Sequence, residues 1–381
     1  MTTALIGLII LGSVIYFYLK CSLVTSFSTF IAAIFATIIG FSYHEAMADL
    51  FISRGYGANW ALAGCYLLAF ILGSALFRAM ADLLAGSSID LGKVPQVIAT
   101  LLFGLLTGII MAGNVLVTIG LLPVQHKLLY SRYPSDRQLA PNNPQLPAFN
   151  VDGTVTGFYN WLSRGALASN TSFAVVQADF LNKNHLNRYF IKDDVLPIAS
   201  RKCLALPSKD KKPIRLWDVP EKGKLTVVRV GIVSKSIPDG GANNAAGQIK
   251  FGMAQMRLIC KPADDANNLR GVGKVYLPVG LLQYRNSNRP ADGKQFVEKG
   301  LADIIEADDT LGMRERMLWV DVAFNVDDNM RPVVLQFKQN AMVSLVGIEP
   351  VPSTPDIELE LDKVEEKEPQ AQPAEPEQAV F

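Results

Sequence analysis

Residues 97–122 read VIATLLFGLLTGIIMAGNVLVTIGLL, an apolar run without a charged side chain. A bilayer core about 30 Å thick needs about 20 apolar residues in helix, and this run is long enough. Three similar stretches precede it: Ala4–Leu19, Ser22–Tyr43 and Ala58–Phe77. The first reaches span length only with Lys20 and the flanking Thr residues in the interface. Burying so much Leu, Ile, Val, Phe and Ala in succession suits lipid, so the first third is expected to be integral to a membrane. The other reading of Ala4–Leu19 is a cleaved signal peptide. That reading wants a basic n-region and a small-residue cleavage site, whereas Met1-Thr2-Thr3 has no side-chain charge and the only Lys follows the run.

Small residues recur at four-residue spacing within the spans. The second has Ala32, Ala36 and Gly40; the third has Ala61, Cys65, Ala69 and Gly73; the fourth has Gly104, Gly108 and Ala112. Such faces let helix backbones approach closely in lipid, which predicts a compact four-helix bundle. Ionisable residues fall near the span ends. His44, Glu45 and Asp49 follow the second span and read as helix-end anchors. Arg78 and Asp82, four apart after the third, suit an interfacial ion pair. A transport pathway would want a carboxylate or His deep within a span, and none is apparent. An even number of spans puts both ends of the bundle on one side, but the count of basic residues on the two sides is balanced.

The chain has 381 residues, a formal net charge of +1 and four Cys. It divides into residues 1–124, four transmembrane spans; 125–212, a Pro-rich extended linker and helical juxtamembrane region; 213–350, rich in β-strand; and 351–381, an acidic, Pro-rich tail expected to be disordered. The expected fold class is α+β: a transmembrane four-helix bundle, a helical linker, then an antiparallel β-sandwich-like soluble domain. Leu318, Val320, Val322, Phe324 and Val326 alternate with more polar residues, and Val333, Leu335 and Phe337 resume the period after Asp327-Asp328-Asn329, which reads as a hairpin. A shift of phase near Ala254 reads as a bulge. Phe296–Glu306 reads as a short helix.

No C-x-x-C occurs, so zinc-ribbon and thioredoxin sites are excluded. Cys203 and Cys260 are the candidate disulfide pair if their domain faces an oxidising compartment; two buried, unbridged thiols are the other reading. Catalytic, cofactor and metal residues are expected to be none. His126 and His185 lack ligand partners in sequence. Gly271-Val272-Gly273-Lys274 lacks the spacing and the Ser/Thr of a phosphate loop. Asp264-Asp265 and Asp308-Asp309 read as solvated turns, with calcium binding the other reading if they converge, and Lys209, Lys211, Lys212 and Lys222 as a loop cluster, solvated or meeting anionic headgroups.

The first 124 residues resemble the colicin V production protein family of bacterial inner-membrane proteins. The resemblance rests on the break Tyr18-Leu19-Lys20-Cys21, the basic-acidic end of the third span Phe77-Arg78-Ala79-Met80-Ala81-Asp82, and Phe103-Gly104-Leu105-Leu106-Thr107-Gly108. Cys21 stands where members commonly show Gly. The resemblance implies four spans, a basic first loop on the cytoplasmic side at Lys20, and a role in bacteriocin export or envelope homeostasis. It implies no chemistry for particular residues. The combined expectation is a non-enzymatic bacterial inner-membrane protein, with the β-rich domain outside the cytoplasm. That domain would bind or sense a protein partner. Homo-oligomers are compatible with the small-residue faces, and nucleic acid is not an expected partner. The alternative is a small transporter, channel or secretion accessory with the bundle as its active part.

Overall fold

The computed structural model describes all residues except 85–91, 126–128, 134–138, 208–211, 221, 286–292, 308–312, 315 and 355–381. The chain forms two compact units. Unit 1 comprises Met1–Ile198 with Asn268–Lys274 and Lys338–Asn340; unit 2 comprises Ala199–Asn267, Val275–Phe337 and Ala341–Phe381.

Unit 1 begins with four long helices: α1 (Thr2–Lys20), α2 (Leu23–Ile52), α3 (Ala58–Leu84) and α4 (Lys93–Leu121). All four are long and apolar enough to cross a membrane, so this is a multi-pass membrane protein by length and composition. Ser22 caps α2 by accepting a hydrogen bond from the Thr25 amide. Pro95 sits in the first turn of α4, where a missing N–H leaves no intrahelical bond unmade. At 1.5 Å per residue, the 30 residues of α2 extend about 45 Å, well beyond the hydrocarbon core. Arg78–Leu84 continues α3 without a break.

α2 packs chiefly on α3, and α1 on α4. The small residues make these approaches possible. An added Cβ at Gly73 would lie 3.2 Å from the Ala36 Cα. At Gly104 it would lie 3.2 Å from the Val14 Cα, and at Gly108 2.9 Å from the Ile10 Cα. Gly40 faces the Tyr66 ring, and Ala112 is fully buried beside Ile6 and Leu116. The Ser13 hydroxyl donates to the Gly104 carbonyl at 2.9 Å, tying α1 to α4. Gly108→Leu is therefore expected to pry α1 from α4 and to lower stability by at least the roughly 1–3 kcal/mol typical of overpacking. Thermal melting in detergent tests this: Gly104→Leu should behave similarly, and unchanged melting of both would refute a close α1–α4 contact. Four inserted spans also predict full retention in the membrane fraction after a carbonate wash, where release into the supernatant would count against spanning.

Beyond the spans, the described residues of 125–150 depart from the extended linker that the prolines suggested. Tyr130, Arg132 and Tyr133 are buried. Short helices follow: α5 (Val151–Arg164), α6 (Phe173–Val176) and α7 (Phe180–Tyr189).

Unit 2 is built of strands β1 (Leu204–Ala205), β2 (Ile214–Val219), β3 (Gly223–Val233), β4 (Lys250–Gly252), β5 (Met256–Pro262), β6 (Lys274–Tyr276) and β7 (Pro278–Tyr284). They continue with β8 (Lys294–Glu298), β9 (Ile304–Glu306), β10 (Met313–Arg314), β11 (Met317–Phe324), β12 (Met330–Phe337), β13 (Ala341–Ser344) and β14 (Val351–Pro352). One sheet has the order β14-β2-β3-β11-β7-β8, with β1 beside β3 and β10 beside β11. A second has the order β13-β12-β5-β6, and β4 pairs with β9. Val228, Val230, Val320, Val322 and Phe324 of the first sheet share one core with Leu258, Leu335 and Phe337 of the second. The whole is an α+β protein.

Several sequence expectations need correction. β11 and β12 are not a hairpin: β11 pairs with β3 and β7, whereas β12 pairs with β5 and β13. Asp327-Asp328-Asn329 carries the chain from one sheet to the other. Alternation is the same in a hairpin and in such an arch, so periodicity could not separate them. Phe296–Glu306 is not helical: β8 pairs with β7, and β9 with β4. Cross-strand partners such as Leu282 for Phe296 override the local pattern. The shift near Ala254 is a single 3-10 turn, Met253–Gln255, in which the Gln255 side chain accepts the Gly252 amide at 3.0 Å. Chain order also extends past 350, because β14 joins β2 in parallel. The acidic residues from Asp356 onward lie outside the described residues.

Candidate functional site

Buried polar side chains of unit 1 form linked groups within the bundle and beyond it. Within the bundle, the Tyr66 hydroxyl of α3 donates to Asn114 Oδ1 of α4 at 2.7 Å. Asn114 Nδ2 donates in turn to Thr37 Oγ1 of α2 at 2.9 Å. The Thr37 hydroxyl donates to the Ala33 carbonyl. All three side chains are buried, and each satisfies another where no water would do so.

His44 lies two turns further along α2 than Thr37. The sequence reading made it a helix-end anchor, yet it is only 1% exposed. Its Nδ1–H donates to the Gly40 and Phe41 carbonyls, and its ring meets Tyr66 and Phe180 edge-on. The neighbouring Glu45 carboxylate, 4.0 Å from His44 Nε2, accepts from Gln177 Nε2 at 2.5 Å. Gln177 Oε1 accepts from the buried Lys183 ammonium, which also donates to the Gln339 carbonyl at 2.6 Å. One amide thus links a carboxylate to an ammonium.

A second cluster surrounds Asp152 at the start of α5. Asp152 is fully buried and accepts from Arg132 Nη2 at 3.0 Å, the Tyr130 hydroxyl at 2.9 Å and the Gly153 amide at 2.8 Å. Burial, with the Asp152 charge adding to it, pushes the Tyr130 hydroxyl far above its ordinary pKa, so it remains a donor. Nearby, Arg188 donates to the carbonyls of Val124, Tyr130 and Gln125. Burial pulls its pKa down to about 10, which leaves it charged at neutral pH.

Unit 2 has its own buried charge cluster. Asp321 on β11 lies directly opposite Arg229 on β3. Its carboxylate meets Arg215 at 2.5 Å, Arg229 at 3.1 Å and Lys294 at 2.7 Å. All four side chains are buried. Arg229 also lies over the Trp319 ring and Lys294 over the Tyr284 ring, favourable positions for cations.

The residues singled out in the sequence fall elsewhere. Arg78 and Asp82 form the expected ion pair at 2.9 Å, half exposed, and Arg78 also donates to Thr29 Oγ1. Cys203 and Cys260 are both buried in the shared core of unit 2 and form no disulfide here. Gly40, Gly73, Gly104, Gly108 and Ala112 are helix contacts, as described. Asp265 pairs with Lys261 at 2.8 Å, and Lys222 with Glu298 at 2.6 Å. Asp308, Asp309, His126, Lys209 and Lys211 lie outside the described residues. His185 is buried edge-on to Tyr130. Gly271–Gly273 leads into β6 rather than into a helix.

The reading from sequence missed Tyr66, Asn114, Asp152 and Asp321. The lone Asn within the fourth span was the available signal for the first pair. Arg215 and Arg229 at mid-strand positions were the signal for Asp321. Among the described residues, no group of three His, Cys, Asp or Glu side chains could hold a metal. No family model, no curated protein and no solved structure matches the chain.

Proposed function

We propose that this is a non-enzymatic protein of the bacterial inner membrane, in which a packed helical unit anchors a β-rich unit that binds or senses a protein partner. The observation that carries this reading is the economy of the bundle interior. Thr37, Tyr66 and Asn114 spend their hydrogen bonds on one another, and the glycine faces are filled by the facing helix. A bundle so arranged supports a scaffold more readily than an open path. Recognition then falls to unit 2. There a surface cleft is lined by Ala263, Asn267, Arg331, Ile348 and Glu349. Opposite charges beside apolar walls suit a peptide segment of a partner.

The resemblance of the spans to colicin V production proteins supports a role in envelope homeostasis or bacteriocin export. It also supports placing Lys20 in the cytoplasm and unit 2 outside it. Reporters active on only one side of the membrane, fused after Leu345, test the placement; activity of the cytoplasmic reporter would reverse it.

The functional test uses the full chain. Purified protein in sealed vesicles is expected to give no proton or solute flux above protein-free vesicles. In a deletion strain, Arg331→Glu and Glu349→Lys are expected to abolish complementation with membrane levels unchanged. Flux from the reconstituted protein would favour the transporter reading, with the Tyr66–Asn114 and His44–Glu45 groups as its path.

A further inference from the structure

We propose that α5 and the turn before it lie in the lipid headgroup layer, giving the protein a fifth membrane element that lies in the plane of the bilayer. The first support is depth. α5 begins beside Gly113, well inside α4, where an added Cβ would lie 2.5 Å from the Val151 carbonyl and 2.8 Å from the Val155 side chain. At 1.5 Å per residue, Gly113 is about 12 Å short of the end of α4 at Leu121. Further along α5, Tyr159 shares a 2.8 Å hydrogen bond with Ser42 and stacks on Phe41, with ring centroids 4.9 Å apart. Ser42 belongs to the apolar run of α2. The start of α5 at Val151 and its later turn at Tyr159 therefore touch spanning helices within their apolar lengths.

The second support is the character of the two faces. Val151, Val155 and Tyr159 turn inward, and the polar groups on that side are satisfied: Asp152 by Arg132 and Tyr130, and Thr156 by the Asp152 carbonyl. The outward side is open and carries large apolar side chains beside Thr154 and Gly157. Trp161 is 60% exposed, with Phe158 against it, and Phe149 is 81% exposed. Leu146 and Leu167 are exposed too, and Arg164 closes the helix. A patch of this kind in water would be a liability. At the boundary of a bilayer it is the expected arrangement, with an aromatic side chain at headgroup depth and a cation beside it.

The third support is continuity. Val151 and Ala148 belong to the same apolar cluster as Ile6, Ala112 and Leu116 of α1 and α4. α1 carries exposed Leu8 and Leu11 on its outer side, a surface suited to lipid in a spanning helix. The apolar surface of α5 extends that lipid-facing surface. As a helix, α5 also satisfies its own backbone groups, which a segment at this depth requires.

The test places the full-length protein in phosphatidylcholine–phosphatidylglycerol vesicles whose acyl chains carry bromine either near the headgroup or near the chain ends. Trp161's share of the emission is obtained by comparing the wild type with Trp161→Phe. That share should be mostly lost with bromine near the headgroup, less with bromine near the chain ends, and little with aqueous iodide. Phe149→Trp should add emission with the same profile, which guards against a local disturbance in the first variant. Iodide quenching either share more strongly than any brominated lipid would overturn the proposal. So would protection from both quenchers, because it would mean that a protein surface covers the patch.

Discussion

Asp321→Asn is expected to cost unit 2 about 3–5 kcal/mol, the range for removing one partner of a buried ion pair. The substitution keeps shape and size but takes away the charge that Arg215, Arg229 and Lys294 share. Strands β2, β3, β8 and β11 all contribute to this cluster, so its loss acts across the sheet. Denaturant unfolding in detergent, followed by the emission of Trp319 under Arg229, measures the change. The pH dependence has a defined sign. Burial by itself raises the Asp321 carboxyl pKa, but the three cations outweigh it and hold the group far below the usual carboxylate range. Its stabilisation is therefore complete above the unfolded-chain value of about 4 and is lost as pH falls through the folded value beneath it. The wild type should lose stability in that acid window, and Asp321→Asn should lose much less there. Equal acid sensitivity in the two proteins would show that the cluster is not the source.

Asp152→Ala should destabilise unit 1 by a similar amount, about 3–5 kcal/mol, because Arg132 would stay buried without its carboxylate. The loss should appear as a lower melting temperature in detergent, with the chain around Tyr130–Tyr133 becoming open to proteolysis. The double variant Arg132→Met/Asp152→Ala separates the pair from the site. With both charges gone, the double variant should be more stable than Asp152→Ala alone. If it is less stable, packing of the Arg132 side chain outweighs the ionic contact.

The four spans were legible without coordinates. Lipid selects on composition over about 20 residues, a property of the local chain alone. The glycine spacing was legible for the same reason: residues four apart share a helix face, as Gly104 and Gly108 do against α1. Alternation likewise identified β11 and β12 as strands. It could not assign them to two sheets, because the inward face of a strand repeats with period two whichever strand lies beside it. Nor could it keep Phe296–Glu306 from reading as a helix, since its strand state depends on partners far away at β7 and β4.

The buried charges depended wholly on the assembled fold. In sequence Asp321 is one more polar residue on the outer face of an alternating strand. It becomes an ionic centre because cross-strand registry sets Arg229 opposite it and brings Arg215 and Lys294 within reach. His44 and Asp152 show the same logic in unit 1. Each looks like a surface polar residue beside an apolar run, and each is enclosed by segments far away along the chain: His44 by Tyr66 and Phe180, Asp152 by Tyr130 and Arg132. Partition into lipid and strand or helix period are set by neighbours in sequence. The burial and pairing of a charge are set by neighbours in space, which here come from residues more than a hundred positions away.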